Sequence, residues 1–203
     1  LIYGRLNSLE GEDVVIAVDY STMTRDWYGR ILTWAKYQTK FRSATLDFYY
    51  SHGIYRSDFD HLQIKDIVCV PGYEGVGAGA RYTTAFFGLG FDGAATSTVG
   101  DLIEADRLIC FIARGGDIDP HADEVLSKNS QLLSESKTTP ISLPLSDVRR
   151  STSILLENIS QNCNDSDKVI VIPMGPKPHV LASLIACQII SKAACLHVKG
   201  TRK

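Results

Sequence analysis

The segment that most constrains the fold is a strand, a tight turn and an apolar helix at residues 168–192, KVIVIPMGPKPHVLASLIACQIISK. The apolar run at 169–173 predicts a strand that is covered on both faces, as in a parallel sheet. Gly175 can adopt backbone angles that are closed to other residues, whereas Pro176 and Pro178 suit the first turn of a helix. The chain can therefore pass from a buried strand into a helix within a few residues.

Similar apolar runs alternate with helical patterns along the rest of the chain. Strands are predicted at 14–18, 44–50, 67–70, 84–89, 108–113, 141–145, 169–173 and 194–198. Helices are predicted to follow caps at Thr24, Asp92, Asp119 and Ser146, and to begin at Pro178. This alternation predicts a doubly wound α/β fold, a mainly parallel Rossmann-like sheet with helices on both faces. We expect the strands at 14–18, 108–113 and 169–173 in its interior.

Two of these helices carry apolar surfaces. The helix at 24–38 has a mostly apolar stripe, formed by Trp27, Ile31, Trp34, Ala35 and Gln38. The helix at 178–191 is apolar almost all round, which is more than one sheet contact requires. We therefore expect a symmetry mate or a neighbouring domain to cover its remaining surface.

Composition limits the domain organisation and the classes of partner. With 203 residues and 44% hydrophobic content, residues 1–203 are expected to form one Rossmann-like domain, and the absence of an initial Met suggests a piece of a longer protein. A net charge of -2 and a pI near 6.2 give no global attraction to nucleic acid. No apolar stretch is long enough to predict a membrane span. Five cysteines without CxxC spacing indicate a reduced, cytoplasmic setting.

In doubly wound sheets, ligands bind beyond the carboxyl ends of the strands. Four predicted loops lie there, at 19–25, 88–92, 114–117 and 175–179. They carry the basic residues Arg25, Arg114, Lys177 and His179 and the acids Asp19, Asp92 and Asp117. The dipole of the last helix and the charge of Lys177 favour an anion at its start. This mixture predicts a phosphorylated ligand that also bears hydroxyl groups.

Several familiar chemistries are not predicted. Asp19 and Ser21 match part of the Asp-x-Ser-x-Ser metal motif of von Willebrand factor A domains, but Met23 stands where the second hydroxyl is needed. No Gly-Lys-Ser/Thr phosphate loop and no histidine pair at helical spacing is present. We therefore predict no metal and no cofactor.

The turn after the strand at 169–173 resembles that of CRISPR-associated Rossmann fold sensor domains, which carry a Gly-Thr-Lys-type turn at this place. Gly175 and Lys177 match that turn, and Pro176 replaces its Thr, which removes a hydroxyl and an N–H donor. Ser21 and Thr22 would occupy the first-strand loop of that family. The resemblance implies a cyclic oligoadenylate held across a homodimer.

These observations predict a nucleotide-binding sensor or regulatory domain, with a second copy or a fused effector domain as its partner and no large nucleic-acid surface. The predicted ligand-binding residues are Asp19, Ser21, Thr22, Arg25, Arg114, Gly175, Lys177 and His179. One alternative is a phosphoryl-transfer or phosphodiester-cleaving enzyme at the same loops, with Asp19 or His179 as acid or base. Another is an oligomerisation domain without a ligand. Because no paired catalytic set is visible, binding is favoured.

Overall fold

The computed structural model describes residues 9–53, 61–75, 80–116 and 119–201. Contacts between residues divide the chain into two compact units, Leu1–Tyr55 and Arg56–Lys203. The strands accordingly form two sheets, one of two strands and one of six, in place of the single sheet that we expected. Asp117, one of the acids expected near the ligand, lies outside the described residues.

The first unit contains a βαβ arrangement. Its elements are β1 (Asp13–Asp19), α1 (Arg25–Tyr37) and β2 (Ser43–Tyr49). The two strands run parallel and pair from Asp13 with Ser43 to Asp19 with Tyr49. Val14 and Val18 are buried, whereas Val15 between them is 70% exposed. The prediction that 14–18 is an interior strand is therefore wrong, because β1 pairs with β2 alone among the described strands and has one covered face.

Helix α1 buries a different face from the predicted one. Tyr28, Gly29 and Leu32 are its buried residues. Trp27 and Trp34, both in the predicted stripe, are 64% and 36% exposed. Tertiary packing instead buries the face that contains Tyr28 and Leu32.

The second unit contains the remaining elements. They are β3 (Gln63–Cys69), β4 (Thr83–Gly88), α2 (Gly93–Ile103), β5 (Arg107–Arg114), α3 (Pro120–Lys128), α4 (Ser130–Leu133), β6 (Thr138–Pro144), α5 (Val148–Asn162), β7 (Lys168–Pro173), α6 (Lys177–Ile189) and β8 (Ala193–Thr201). The strand order across the sheet is β3-β8-β7-β4-β5-β6. Every pair is parallel except β3 with β8.

This strand order confirms the doubly wound α/β fold. From β4 the chain moves outward in one direction, to β5 and then to β6, and it returns through α5 to β7 and moves in the other direction to β8. Because such crossovers are right-handed, the helices after β4 and β5 lie on one face of the sheet, and α5 and α6 lie on the other. The strand order thus reverses between β4 and β7.

Most helix starts follow the capping signals in the sequence. The Asp92 carboxylate accepts a hydrogen bond from the Ala95 N–H, and Asp119 accepts from the N–H groups of His121 and Ala122. Helix α5 is capped by Asp147, one residue after the predicted Ser146, through the Arg150 N–H. Carboxylates that accept from the first free N–H groups stabilise helix starts.

Two helices differ from their predictions. The helix expected from 119 to 133 is interrupted at Asn129, whose side-chain amide donates to the carbonyl oxygens of Gly90 and Val125. The surface of α6 that we assigned to another copy or domain packs on α5 of the same chain. Ile189 is 62% exposed, and the expected contact of α6 with a second copy or domain stays a prediction.

The core of the second unit lies between the sheet and its helices. Phe87, Leu108, Cys110 and Ile172 are among its fully buried residues. All five cysteines are free thiols, and burial raises the pKa of Cys110 to about 12. None of the helices in the described parts of the chain is long and apolar enough to cross a membrane.

Candidate functional site

The loops after β4 and β7 meet where the strand order reverses. The Met174 N–H donates to the Gly88 carbonyl oxygen across 3.0 Å. A methyl group on Gly175 would lie 2.9 Å from the Leu89 carbonyl oxygen, and one on Gly90 would lie 2.9 Å from that of Met174. The two glycines therefore let the loops approach backbone to backbone. In folds of this class, ligands bind at this reversal.

The ends of β5 and β6 adjoin this point. Arg114 ends β5 and pairs with Pro144 at the end of β6. The Pro144 carbonyl oxygen accepts hydrogen bonds from His179 Nε2 in α6, at 2.9 Å, and from Ser151 Oγ in α5, at 3.0 Å. These bonds hold the start of α6 beside the strand pair that carries Arg114. Arg114, Gly175, Lys177 and His179 thus all lie at the carboxyl edge of one sheet.

His179 has a packing role that its sequence position did not reveal. It is 1% exposed, and the centre of its ring lies 6.1 Å from the centre of the Phe111 ring. A carbonyl oxygen can only accept, so the ring proton lies on Nε2. Burial lowers the pKa of His179, and the hydrogen bond to Pro144 opposes that effect. A buried neutral imidazole stabilises the helix start, and its predicted contact with a ligand stays a prediction.

The start of α6 is positively charged chiefly through Lys177. Pro176 and Pro178 have no N–H groups, and the His179 N–H donates to the Pro176 carbonyl oxygen. A helix start normally presents several free N–H groups to an anion, but these three positions offer none. The attraction of this helix start for an anion therefore comes from the half-buried Lys177 and from the helix dipole.

Asp119 at the start of α3 and Asp92 in the loop after β4 both serve the fold. The Asp119 carboxylate also accepts from the Gly115 N–H, which lowers its pKa despite partial burial; the N–H groups of Ala122 and His121 add to the effect. Burial would raise the pKa of Asp92, but the N–H groups of Leu62 and Ala95 and the His61 ring together lower it. Both carboxylates are therefore held ionised by the chain itself.

The pair of His61 and Asp92 was not found by sequence reasoning. His61 Nδ1 lies 3.1 Å from Asp92 Oδ1, and the imidazole is 82% exposed. An imidazole oriented by a partly buried carboxylate can bind a ligand or exchange a proton through its outer nitrogen. The residues are 31 positions apart, and no local pattern links them. The only visible signal was Asp92 as a helix cap.

The loop after β1 belongs to the first unit. Asp19 Oδ1 accepts from the Ser21 N–H at 2.9 Å, and Ser21 Oγ accepts from the Ser51 N–H at 2.8 Å. Thr22 is exposed and Arg25 is half-buried at the first position of α1. These four residues belong to the first unit, whereas Arg114 and Lys177 belong to the second. Their predicted ligand contacts stay predictions.

Within the described ranges, no group of three or more His, Cys, Asp or Glu side chains could hold a metal ion. Comparison with protein-family models, with curated proteins and with solved structures gave no match for this chain.

Proposed function

We propose that the second unit binds a phosphorylated, nucleotide-like ligand at the carboxyl edge of its six-stranded sheet. The observation that carries the proposal is the side chain of Arg114. It is half-buried at the end of β5, and in the part of the chain that the structure describes, its guanidinium has no hydrogen-bond or ion-pair partner. A cation partly withdrawn from water without a counter-ion is costly, so this arrangement favours an anionic ligand.

The surroundings of Arg114 support the same ligand class. The reversal of strand order lies between β4 and β7, next to β5. His179 fixes the start of α6 beside the end of β6, and Lys177 adds a second cation there. Two cations beside tightly packed loops suit a ligand with one or more phosphate groups, and the planar guanidinium can bind a phosphate through two parallel hydrogen bonds.

Binding coupled to regulation is the activity that we propose for the chain. It would act as a cytoplasmic sensor that passes ligand occupancy to a second copy or to a fused effector domain. The similarity of Gly175 and Lys177 to the turn of the CRISPR-associated sensor domains places cyclic oligoadenylates among the ligands to test. The predicted ligand contacts of Asp19, Ser21, Thr22 and Arg25 belong to the first unit and are tested separately.

Titration calorimetry tests the proposal with inorganic phosphate, mononucleotides, and linear and cyclic oligoadenylates. We expect one nucleotide class to bind, and Lys177→Ala to weaken it about ten- to a hundredfold, the loss of a charge-assisted contact worth about 1.5–3 kcal/mol. Lys168→Ala is the matched control, because Lys168 is exposed at the opposite, amino end of β7. Arg25→Ala reports whether the first unit contributes. Absence of binding at about 1 mM ligand would contradict the proposal.

A further inference from the structure

The exposed face of α1 carries large aromatic side chains. Trp27 is 64% exposed, Trp34 is 36% exposed and Tyr37 is 69% exposed, and Arg30 is exposed between them. The four residues are separated by three, four and three positions, so they form one line along the helix, which we call the aromatic seam. Trp, Tyr and Arg are the residues that most often dominate protein–protein interfaces.

Two rings of the aromatic seam are held in place by neighbours. Trp34 packs edge-on against the buried Phe41, with ring centroids 6.1 Å apart. The Lys36 ammonium lies 5.5 Å from the centre of the Tyr37 ring. Side chains that are already ordered lose less conformational freedom when a partner binds. The aromatic seam is therefore suited to forming an interface.

The aromatic seam is complementary to a copy of itself that runs in the opposite direction. If a two-fold axis crosses the aromatic seam midway between Arg30 and Trp34, Arg30 of one copy faces Trp34 of the other, and Trp27 faces Tyr37. Each contact then occurs twice, as two-fold symmetry requires. The guanidinium lies on an indole ring, the best aromatic partner for a cation. Parallel helices would instead bring the two Arg30 side chains together.

We propose that α1 forms an antiparallel contact with α1 of a second copy of this chain through the aromatic seam. The spacing of three and four positions is that of helices packed at a shallow angle. One helix face is smaller than the roughly 800 Å² that each partner buries in a standard interface, so the dimer is weak, with a Kd between about 1 µM and 1 mM. The proposal is independent of the ligand site.

Sedimentation equilibrium of the full chain over about 10–500 µM tests this contact. The wild type is expected to show a monomer–dimer equilibrium. Arg30→Glu and Trp27→Ser each weaken it about tenfold or more, since loss of one such contact is worth about 1.4 kcal/mol. Arg149→Glu, the same charge change at an exposed position of α5, leaves it unchanged. Thermal unfolding of each variant establishes that the fold is retained.

Three results would overturn the proposal. The first is a wild type that stays monomeric, and the second is a dimer that neither variant of the aromatic seam weakens. The third comes from mixing wild type with Arg30→Glu: a mixed dimer tighter than the wild-type dimer would show parallel helices with residue 30 facing residue 30. A monomeric wild type whose tryptophan fluorescence is quenched by oligothymidylate would assign the aromatic seam to single-stranded nucleic acid instead.

Discussion

His179 Nε2 donates a hydrogen bond to the carbonyl oxygen of Pro144 across 2.9 Å, and this bond joins the start of α6 to the end of β6. Its donor is buried and neutral, and burial lowers the pKa of His179 below its ordinary value of 6.5. The loops that we propose as a ligand site therefore depend on a histidine that must remain uncharged. That requirement makes the stability of the second unit sensitive to pH.

We expect the free energy of unfolding to fall as the pH is lowered from about 7 to about 5. The unfolded chain takes up a proton at about pH 6.5, whereas the folded chain takes it up only at a lower pH. The contribution of His179 is therefore complete above about pH 6.5 and is lost as the pH falls through its folded-state pKa. Urea denaturation at several pH values measures this loss, whose slope is at most about 1.4 kcal/mol per pH unit.

His179→Gln is the control for that prediction. Glutamine retains an amide donor for Pro144 but does not titrate, so the slope between about pH 7 and pH 5 should decrease. Asp92 and Asp119, with lowered pKa values, lose their contributions only below about pH 4, the ordinary range of an aspartate. Equal slopes in wild type and His179→Gln would contradict the assignment.

Gly175→Ala should destabilise the second unit by about 1–3 kcal/mol, because the added methyl would lie 2.9 Å from the Leu89 carbonyl oxygen and force the two loops apart. Gly116→Ala is the matched change, since a methyl there meets nothing within 4 Å. Denaturant midpoints give the comparison. Similar values for the two variants would show that the loops after β4 and β7 tolerate separation.

Asp119→Ala should lower the free energy of unfolding by about 1–2 kcal/mol, because three N–H groups lose their acceptor, those of Gly115, His121 and Ala122. Asp123→Ala in the same first turn removes an exposed acid and should change stability by about 0.5 kcal/mol or less. Thermal denaturation of both variants tests this. A larger effect at Asp123 would mean that charge near the helix start matters more than the cap.

The features that could be predicted from the sequence are those encoded within a few residues. Asp119 followed by Pro120 determines a helix start locally, and the apolar run at 169–173 is the buried strand β7. The same local rule misjudged 14–18, because an apolar run does not specify which strand it pairs with. Among the described strands β1 pairs with β2 alone, and Val15 on its open face is exposed.

The parts of the site that were not predicted depend on contacts between residues distant in sequence. Arg114 and Lys177 were predicted because both follow buried strands, and the sheet brings those strand ends together. The pairing of His61 with Asp92, and that of His179 with Pro144, joins residues more than thirty positions apart, and no spacing rule encodes it. On α1 the apolar stripe did not identify the buried face, because the packing of Tyr28 and Leu32 decides which face is covered.

We expect Arg114 and Lys177 to bind the same anion at the reversal of strand order. A double-mutant cycle with Arg114→Ala, Lys177→Ala and the combined variant measures their coupling, with calorimetric affinities for the nucleotide that binds wild type best. We predict that each single change weakens binding about ten- to a hundredfold and that the two effects are not additive, with a coupling of about 0.5–3 kcal/mol. No binding to wild type at about 1 mM ligand, or two strictly additive effects, would contradict the claim.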